Sequence, residues 1–243
     1  MGVKVSESYE QTLDKNFDKA LMLCSTCHKY EDLIEYLKCG NLPEKQYAAL
    51  ELSELKNESD AEIFISNLTG CDGKIREAVA QKFLEFVPEK KYQEYFSNYP
   101  EIFAKSTIDI NANISRMIID GLVYMSRFEQ FGRKYADALL GYIYEAFDGL
   151  DKIVFRDKKY TINKQLFKLY WCLEGLNNYS IYLKEEELKS ILERTLKEAE
   201  YTVREKAAQI IVNQTSSVFD DLKNQIKNDE NYYIKRIIKP YTP

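Results

Sequence analysis

The sequence predicts an all-α chain, and three observations carry that expectation. Charged residues make up 30% of the 243 positions, and they are dominated by Glu and Lys, both good helix formers. Only 9 Gly and 5 Pro are present, too few for the many turns of a sandwich or barrel. Apolar residues recur at intervals of three and four rather than alternating; Lys152-Ile153-Val154-Phe155 is the one short stretch with strand character. Divided on that periodicity, the chain reads as roughly twelve or thirteen helices of about 8 to 18 residues joined by short turns.

The first elements are punctuated by proline. Pro43-Glu44, Pro88-Glu89 and Pro100-Glu101 each open an apolar-periodic stretch. A proline at the first helical position loses no needed hydrogen bond, and a glutamate just after it meets the positive end of the helix dipole. Asn41 and Asn98 are placed to cap two of these starts. The stripes follow in order: Ala48, Leu52 and Leu55; Ile75, Val79, Phe83 and Phe86; Ile114, Ile118, Leu122 and Met125; Ile162, Leu166, Leu169 and Leu173; Val203, Ala207, Ile210 and Ile211. Each marks one buried helix face.

The stripes are related to one another. Gly70-Cys-Asp-Gly-Lys-Ile-Arg-Glu-Ala-Val-Ala-Gln-Lys-Phe83 aligns with Glu198-Ala-Glu-Tyr-Thr-Val-Arg-Glu-Lys-Ala-Ala-Gln-Ile-Ile211. Both carry an acidic residue, spacers, a β-branched residue, Arg-Glu, then small residues ahead of large apolar ones. Asp109–Leu122 is a looser copy, Asp157–Phe167 looser still, and Lys45–Leu52 a first copy. The anchors at 45, 75, 114, 162 and 203 lie 30, 39, 48 and 41 residues apart. Such a period, with two helices per unit, marks helical-hairpin repeats.

On these residues the chain resembles the HEAT-repeat family, whose second helix opens with Asp, spacers, Val-Arg and a pair of small residues. The resemblance covers roughly residues 30 to 215. It implies a right-handed α-α superhelix of about five to six hairpins, with second helices lining a concave face. A lone hairpin cannot cover its apolar face, so neighbours must stack, and Ala78, Ala80, Ala207 and Ala208 would let second helices approach closely. The expected organisation is one solenoid domain over 1–243, with capping helices at 1–40 and 216–243 and repeats over 41–215. The long 48-residue interval holds the stretch Phe131–Leu150 and a connection through Asp151 to Lys159.

Charge narrows the partner. The net charge is −5; residues 1–90 carry a net −6 and the remainder +1. Nucleic-acid binding needs clustered Lys and Arg, so it is not expected. The acidic N-terminal third favours a basic partner. The five cysteines, Cys24, Cys27, Cys39, Cys71 and Cys172, are odd in number and lie mostly in apolar helical stretches. Free, buried thiols in a reducing, cytoplasmic setting are the expectation. No apolar run approaches the ~20 residues of a membrane span, and Met1–Glu10 has no signal-peptide core.

Four features invite a sharper reading. Cys24-Ser-Thr-Cys27-His28 spells the covalent haem-attachment pattern around the only histidine. The segment reads as helical and without an export signal, so two half-buried thiols are the simpler reading. Zinc would need four ligands, and only Cys39 lies further nearby. Met1-Gly-Val-Lys-Val-Ser6 fits the N-myristoylation pattern, with an ordinary start as the plainer account. Arg76 and Arg204 recur at one repeat position, and a structural pairing to an acid such as Asp72 or Glu200 is expected. The 19 tyrosines cluster at 92/95/99, 142/144, 179/182 and 232/233, as boundary residues with ring in and hydroxyl out or as binding hot spots.

One histidine leaves little room for a His-based triad, and no Gly-rich phosphate loop or nucleophile elbow occurs. No catalytic, cofactor or metal residue is therefore assigned. The expected function is a protein-binding scaffold using the concave face. Counting from each anchor places Glu77, Gln81, Arg116, Asp120, Lys164, Gln165, Lys168, Glu205, Lys206 and Gln209 on that face, running acidic to basic along the array. The alternative is an enzyme on the same scaffold, similar to the HEAT-like alkylpurine DNA glycosylases or to solenoid lyases and chaperones acting on phycobilisome proteins. Glycosylases of that kind use a basic groove with tryptophans, whereas Trp171 stands alone in an acidic chain.

Overall fold

The computed structural model describes the backbone of residues 9–152 and 159–238, with side chains over 12–152 and 164–238. Among the described residues there are fourteen α-helices and no strand: an all-α repeat fold, as predicted. The strand-like stretch at Ile153–Phe155 and the Met1–Ser6 pattern lie outside the described residues. The helices fall into two compact units, Met1–Asn98 with Asn111–Gly121, and Tyr99–Ile110 with Leu122–Pro243.

The first unit contains α1 (Tyr9–Cys24), α2 (Tyr30–Cys39), α3 (Leu42–Glu51), α4 (Glu58–Ser66), α5 (Gly73–Phe86), α6 (Lys90–Phe96) and α8 (Ala112–Leu122). Packing runs in two rows: α1 on α3 on α5, and α2 on α4 on α6, with α2 also against α3. The start of α3 follows the sequence reading. Asn41 Oδ1 accepts from Glu44 N at 3.2 Å, and Glu44 Oε2 accepts from Asn41 N at 2.9 Å, a reciprocal capping box with Pro43 in the first turn. Pro100 likewise opens a helix, but its N-cap is Tyr99. Asn98 instead donates to Glu58 Oε1 at 2.6 Å, so it ties two segments together rather than capping. Phe64, Phe83, Phe86 and Phe96 make the aromatic centre of this unit. Gly121 of α8 lets that helix sit on the Phe83 ring, where a Cβ would collide.

The second unit contains α7 (Pro100–Thr107), α9 (Glu129–Asp151), α10 (Lys159–Leu176), α11 (Glu185–Thr195), α12 (Tyr201–Asn213), α13 (Asp220–Lys227) and α14 (Tyr232–Ile238). Here α7 packs on α9, α9 on α10, α10 on α12, and α12 on α14. The long stretch Phe131–Leu150 lies within a single 23-residue helix, Glu129–Asp151, about 35 Å at 1.5 Å per residue. Its centre is aromatic: Tyr135 and Tyr179 are fully buried at a centroid separation of 4.8 Å. Their hydroxyls turn inward, Tyr135 to Thr107 Oγ1 at 2.8 Å and Tyr179 donating to Leu122 O at 2.6 Å. Neither the boundary nor the hot-spot reading anticipates tyrosine used as core with both ends satisfied.

The repeat anchors fall on helices. Lys45, Ile75, Ile114 and Val203 lie near the starts of α3, α5, α8 and α12, and Ile162 lies on α10. Ala78, Ala80, Ala207 and Ala208 are all buried. Two stripes outrun their helices: Leu52 caps α3 and Leu55 is buried beyond it, and Met125 closes a short 3-10 turn after α8. Burial there is a property of the loop path, which periodicity does not encode.

Arg76 and Arg204 are equivalent in structure, though not through the acids expected. Arg76 Nη1 donates to Gly70 O at 2.8 Å and Cys71 O at 3.1 Å. Arg204 Nη1 donates to Glu198 O at 2.8 Å and Ala199 O at 2.9 Å. In both cases the carbonyls belong to residues six and five positions earlier. Asp72 and Glu200 meanwhile cap the helices, accepting from Lys74 N and Thr202 N. The carboxylate is taken by the helix N-terminus, so the guanidinium holds the loop before it. Arg204 also forks onto Asp229, with Nε to Oδ2 at 3.0 Å and Nη2 to Oδ1 at 3.2 Å.

The cysteine expectation needs correcting. Cys24, Cys27, Cys39 and Cys71 are free but exposed, and only Cys172 is buried. They occupy helix ends and loops rather than the stripes themselves.

Candidate partner-binding faces

In the first unit the predicted face lies on α5 and α8. Gln81, Arg116 and Asp120 are exposed and Glu77 is half-buried. The exposed positions Asn113, Arg116 and Asp120 on α8 follow i, i+3 and i, i+4 spacing, which places Arg116 and Asp120 one turn apart on one side. Asn113 Nδ2 reaches Glu77 Oε1 at 3.5 Å, so the α5 and α8 parts of the face adjoin. The buried flank of α8 (Ile114, Ile118, Ile119) fixes which side faces out.

In the second unit the face lies on α10 and α12, and its side chains are already engaged. Lys168 Nζ pairs with Glu145 Oε2 of α9 at 3.1 Å and sits 6.0 Å from the Tyr142 ring centroid. Lys206 Nζ pairs with Glu174 Oε2 of α10 at 2.6 Å and sits 5.1 Å from the Tyr170 ring centroid. The same constellation, a lysine held between a tyrosine ring and a glutamate of the preceding packed helix, therefore occurs twice. Burial alone would lower the Lys206 ammonium, but the Glu174 bond and charge, joined by Tyr170, together outweigh it and hold the group above its ordinary range. Gln209 Oε1 also accepts from Lys206 Nζ at 3.2 Å. Lys164 is exposed and Glu205 half-buried. Gln165 does not point outward: its side chain lies against Gly149 of α9, and its Oε1 is buried without a hydrogen-bond partner.

Phe167, Tyr170 and Tyr201 of these surfaces were not singled out as site residues from the sequence. Phe167, Tyr170 and Trp171 form an edge-to-face cluster on α10, with centroids 6.1 and 5.1 Å from Trp171. Trp171 is 6% exposed and its Nε1 has no partner, so its ring is not open as a base-stacking platform. Tyr201, Tyr232 and Tyr233 are exposed at the other end of α12 and on α14, with Tyr201 stacked on Tyr233 at 6.4 Å. The 232/233 pair was visible as a cluster; its meeting with Tyr201 requires α12 against α14.

The haem-like pattern does not form a centre. Cys24 ends α1, and Cys27 lies beyond it. His28 is held between the rings of Tyr36 and Tyr47 at 5.5 and 5.2 Å. Its Nε2 is 2.8 Å from Thr26 Oγ1 and 3.2 Å from Leu23 O, so the ring is spoken for by its own turn. Among the described residues no group of three or more His, Cys, Asp or Glu side chains is arranged to hold a metal. No described helix is long and apolar enough to cross a membrane.

No family model matches the chain, and no curated protein matches it. Among solved structures it is similar to an engineered protein, with TM-score 0.46 and 12% identity over 87% of this chain and 94% of that one. It is also similar to a computationally designed armadillo repeat protein for modular peptide recognition, with TM-score 0.46 and 11% identity over 86% and 96%. A further designed armadillo repeat protein gives TM-score 0.45 and 11% identity over the same shares. At such identity no residue of the faces described above is carried over from them.

Proposed function

We propose that the chain is a HEAT-like scaffold that binds segments of another protein on the outward faces of its second helices, and that it is not an enzyme. The observation that supports this most is that Gln81, Arg116, Asp120 and Lys164 are solvent-exposed while the opposite flanks of the same helices are core. The lysines that looked available, Lys168 and Lys206, are neutralised by Glu145 and Glu174. Their role is to hold the α9–α10–α12 stack in place, and the recognition work falls to exposed neighbours. A mixed-charge surface of this kind contributes specificity and on-rate more than affinity. Four exposed free thiols suit a reducing compartment such as the cytoplasm.

The test is quantitative. A partner identified by affinity capture is titrated against the purified chain and against Arg116→Glu combined with Lys164→Glu. Both positions are exposed, so the fold is retained, and a loss of at least about tenfold in affinity is expected for reversal of two contacting charges. Unchanged affinity would overturn the assignment of these faces.

A further inference from the structure

The first described helix carries an apolar stripe on an exposed side, where a contiguous run of large apolar side chains marks an interaction surface. On α1, Leu13, Phe17 and Leu21 follow i, i+4, i+8 spacing and are 45%, 64% and 55% exposed. Across from them Leu50 of α3 is 38% exposed. Between the two helices runs a groove of about 730 Å³ whose walls include Leu13, Phe17 and Ala20 on one side and Pro43, Tyr47 and Leu50 on the other. Leu13, Phe17 and Ala20 form one helical stripe and Pro43, Tyr47 and Leu50 another, with Asp72 and Lys74 at the start of α5 also on the lining. From Leu13 to Cys24 the groove spans eleven residue steps, about 16 Å at 1.5 Å per residue, which matches roughly three helical turns.

The charges around this slot are mainly acidic, with Asp14 and Asp72 on the lining against Lys74. Asp14 and Asp18 stand one turn apart on α1, and Glu51 ends α3; all three are exposed, and none has a hydrogen bond or ion pair among the described residues. Like charges at i, i+4 disfavour the helix that bears them, so Asp14 and Asp18 leave α1 with an electrostatic cost that an incoming cation would relieve. Lys19, the cation of the same helix that faces α3, is held by Glu44 at 2.9 Å. Lys74 is the one basic side chain on the lining. Burial first, and then the Glu51 charge, raise the Tyr47 hydroxyl above its ordinary range.

We propose that the α1/α3 groove is a docking site for a basic amphipathic helix of a partner protein. Its apolar face would lie between Phe17 and Leu50, and its Lys or Arg side chains would meet Asp14, Asp18 and Glu51. This is helix-in-groove recognition, read through i, i+3, i+4 anchors. Its lining shares no residue with the predicted α5/α8 and α10/α12 faces, so it stands or falls without them.

The test uses the full chain and two fluorescent 14-residue helical peptides of identical apolar face, one with Lys and one with Glu on its polar face. Fluorescence anisotropy should show the Lys peptide binding at least tenfold more tightly than the Glu peptide, with the difference shrinking in high salt. Asp14→Lys with Asp18→Lys should reverse the preference. Phe17→Ser with Leu50→Ser should weaken the Lys peptide at least tenfold; should that pair fail to fold, the charge-reversal pair decides. Equal binding of the two peptides, no binding of either, or an unchanged preference after charge reversal would each overturn the proposal. So would a wild-type dimer by light scattering that Phe17→Ser converts to monomer, because a second copy would then occupy the groove.

Discussion

Arg204→Met removes a side chain that is 7% exposed and serves four partners at once, the exposed Glu230 among them at 3.8 Å. The guanidinium satisfies both oxygens of Asp229, itself 11% exposed, and the carbonyls of Glu198 and Ala199. Deleting one member of a buried ion pair strands the other charge, which costs about 3–5 kcal/mol. The two carbonyls add less, because the loop before α12 is partly open to water. With a urea m-value of about 2–3 kcal/mol/M, the midpoint should fall by about 1–2 M. Stability in a repeat array is carried by neighbour contacts, so the loss should concentrate at α12–α14, visible as faster amide exchange there. Arg204→Lys keeps the charge but not the fork and should recover only part of the loss. Pairing Arg204→Met with Asp229→Leu removes the stranded charge and should regain most of it. A cost for Arg204→Met below about 1 kcal/mol, the range of a surface pair, would refute the reasoning. So would a double variant no more stable than the single one.

Two further outcomes follow from packing and burial. Gly121→Ala places a Cβ into the Phe83 ring and should destabilise by about 1–3 kcal/mol, whereas Gly141→Ala meets nothing within 4 Å and should stabilise by about 0.5–1 kcal/mol; thermal melts shifting in the same direction would contradict the seating of α8 on α5. Thiol titration of the native protein at pH 8 should find Cys24, Cys27, Cys39 and Cys71 reactive and Cys172 silent until unfolding, since burial pushes its thiol far above the usual range. Cys39 should be the slowest of the four, because its bond to the Glu35 carboxylate raises its thiol; a fifth thiol reacting in the native state would disprove the burial.

Local chemistry was readable wherever a residue acts on its own helix. The Asn41–Pro43–Glu44 start and the buried positions Val79, Phe83, Ile118, Leu173 and Ile210 all follow from 3.6-residue periodicity and from the unpaired groups at helix ends. The equivalence of Arg76 and Arg204 was also visible as a repeated pattern. Its partners were not, because a capping carboxylate and a nearby arginine look like a pair in one dimension. The Gly121–Phe83, Lys168–Glu145 and Lys206–Glu174 contacts join residues 38, 23 and 32 positions apart, with no constant spacing to read.

By itself, then, the sequence determined an all-helical repeat chain, its main helix starts and most of its core, since these depend on short-range spacing. Only tertiary structure decided which polar residues remain open to a partner. Lys168 and Lys206 carry the same charge and wheel position as an exposed lysine, but each lies beside a tyrosine and glutamate of the helix packed against it. The α1/α3 groove arises in the same way: Leu13, Phe17 and Leu21 are i, i+4, i+8 neighbours on α1, but their exposure is decided by how the described helices of the first unit pack.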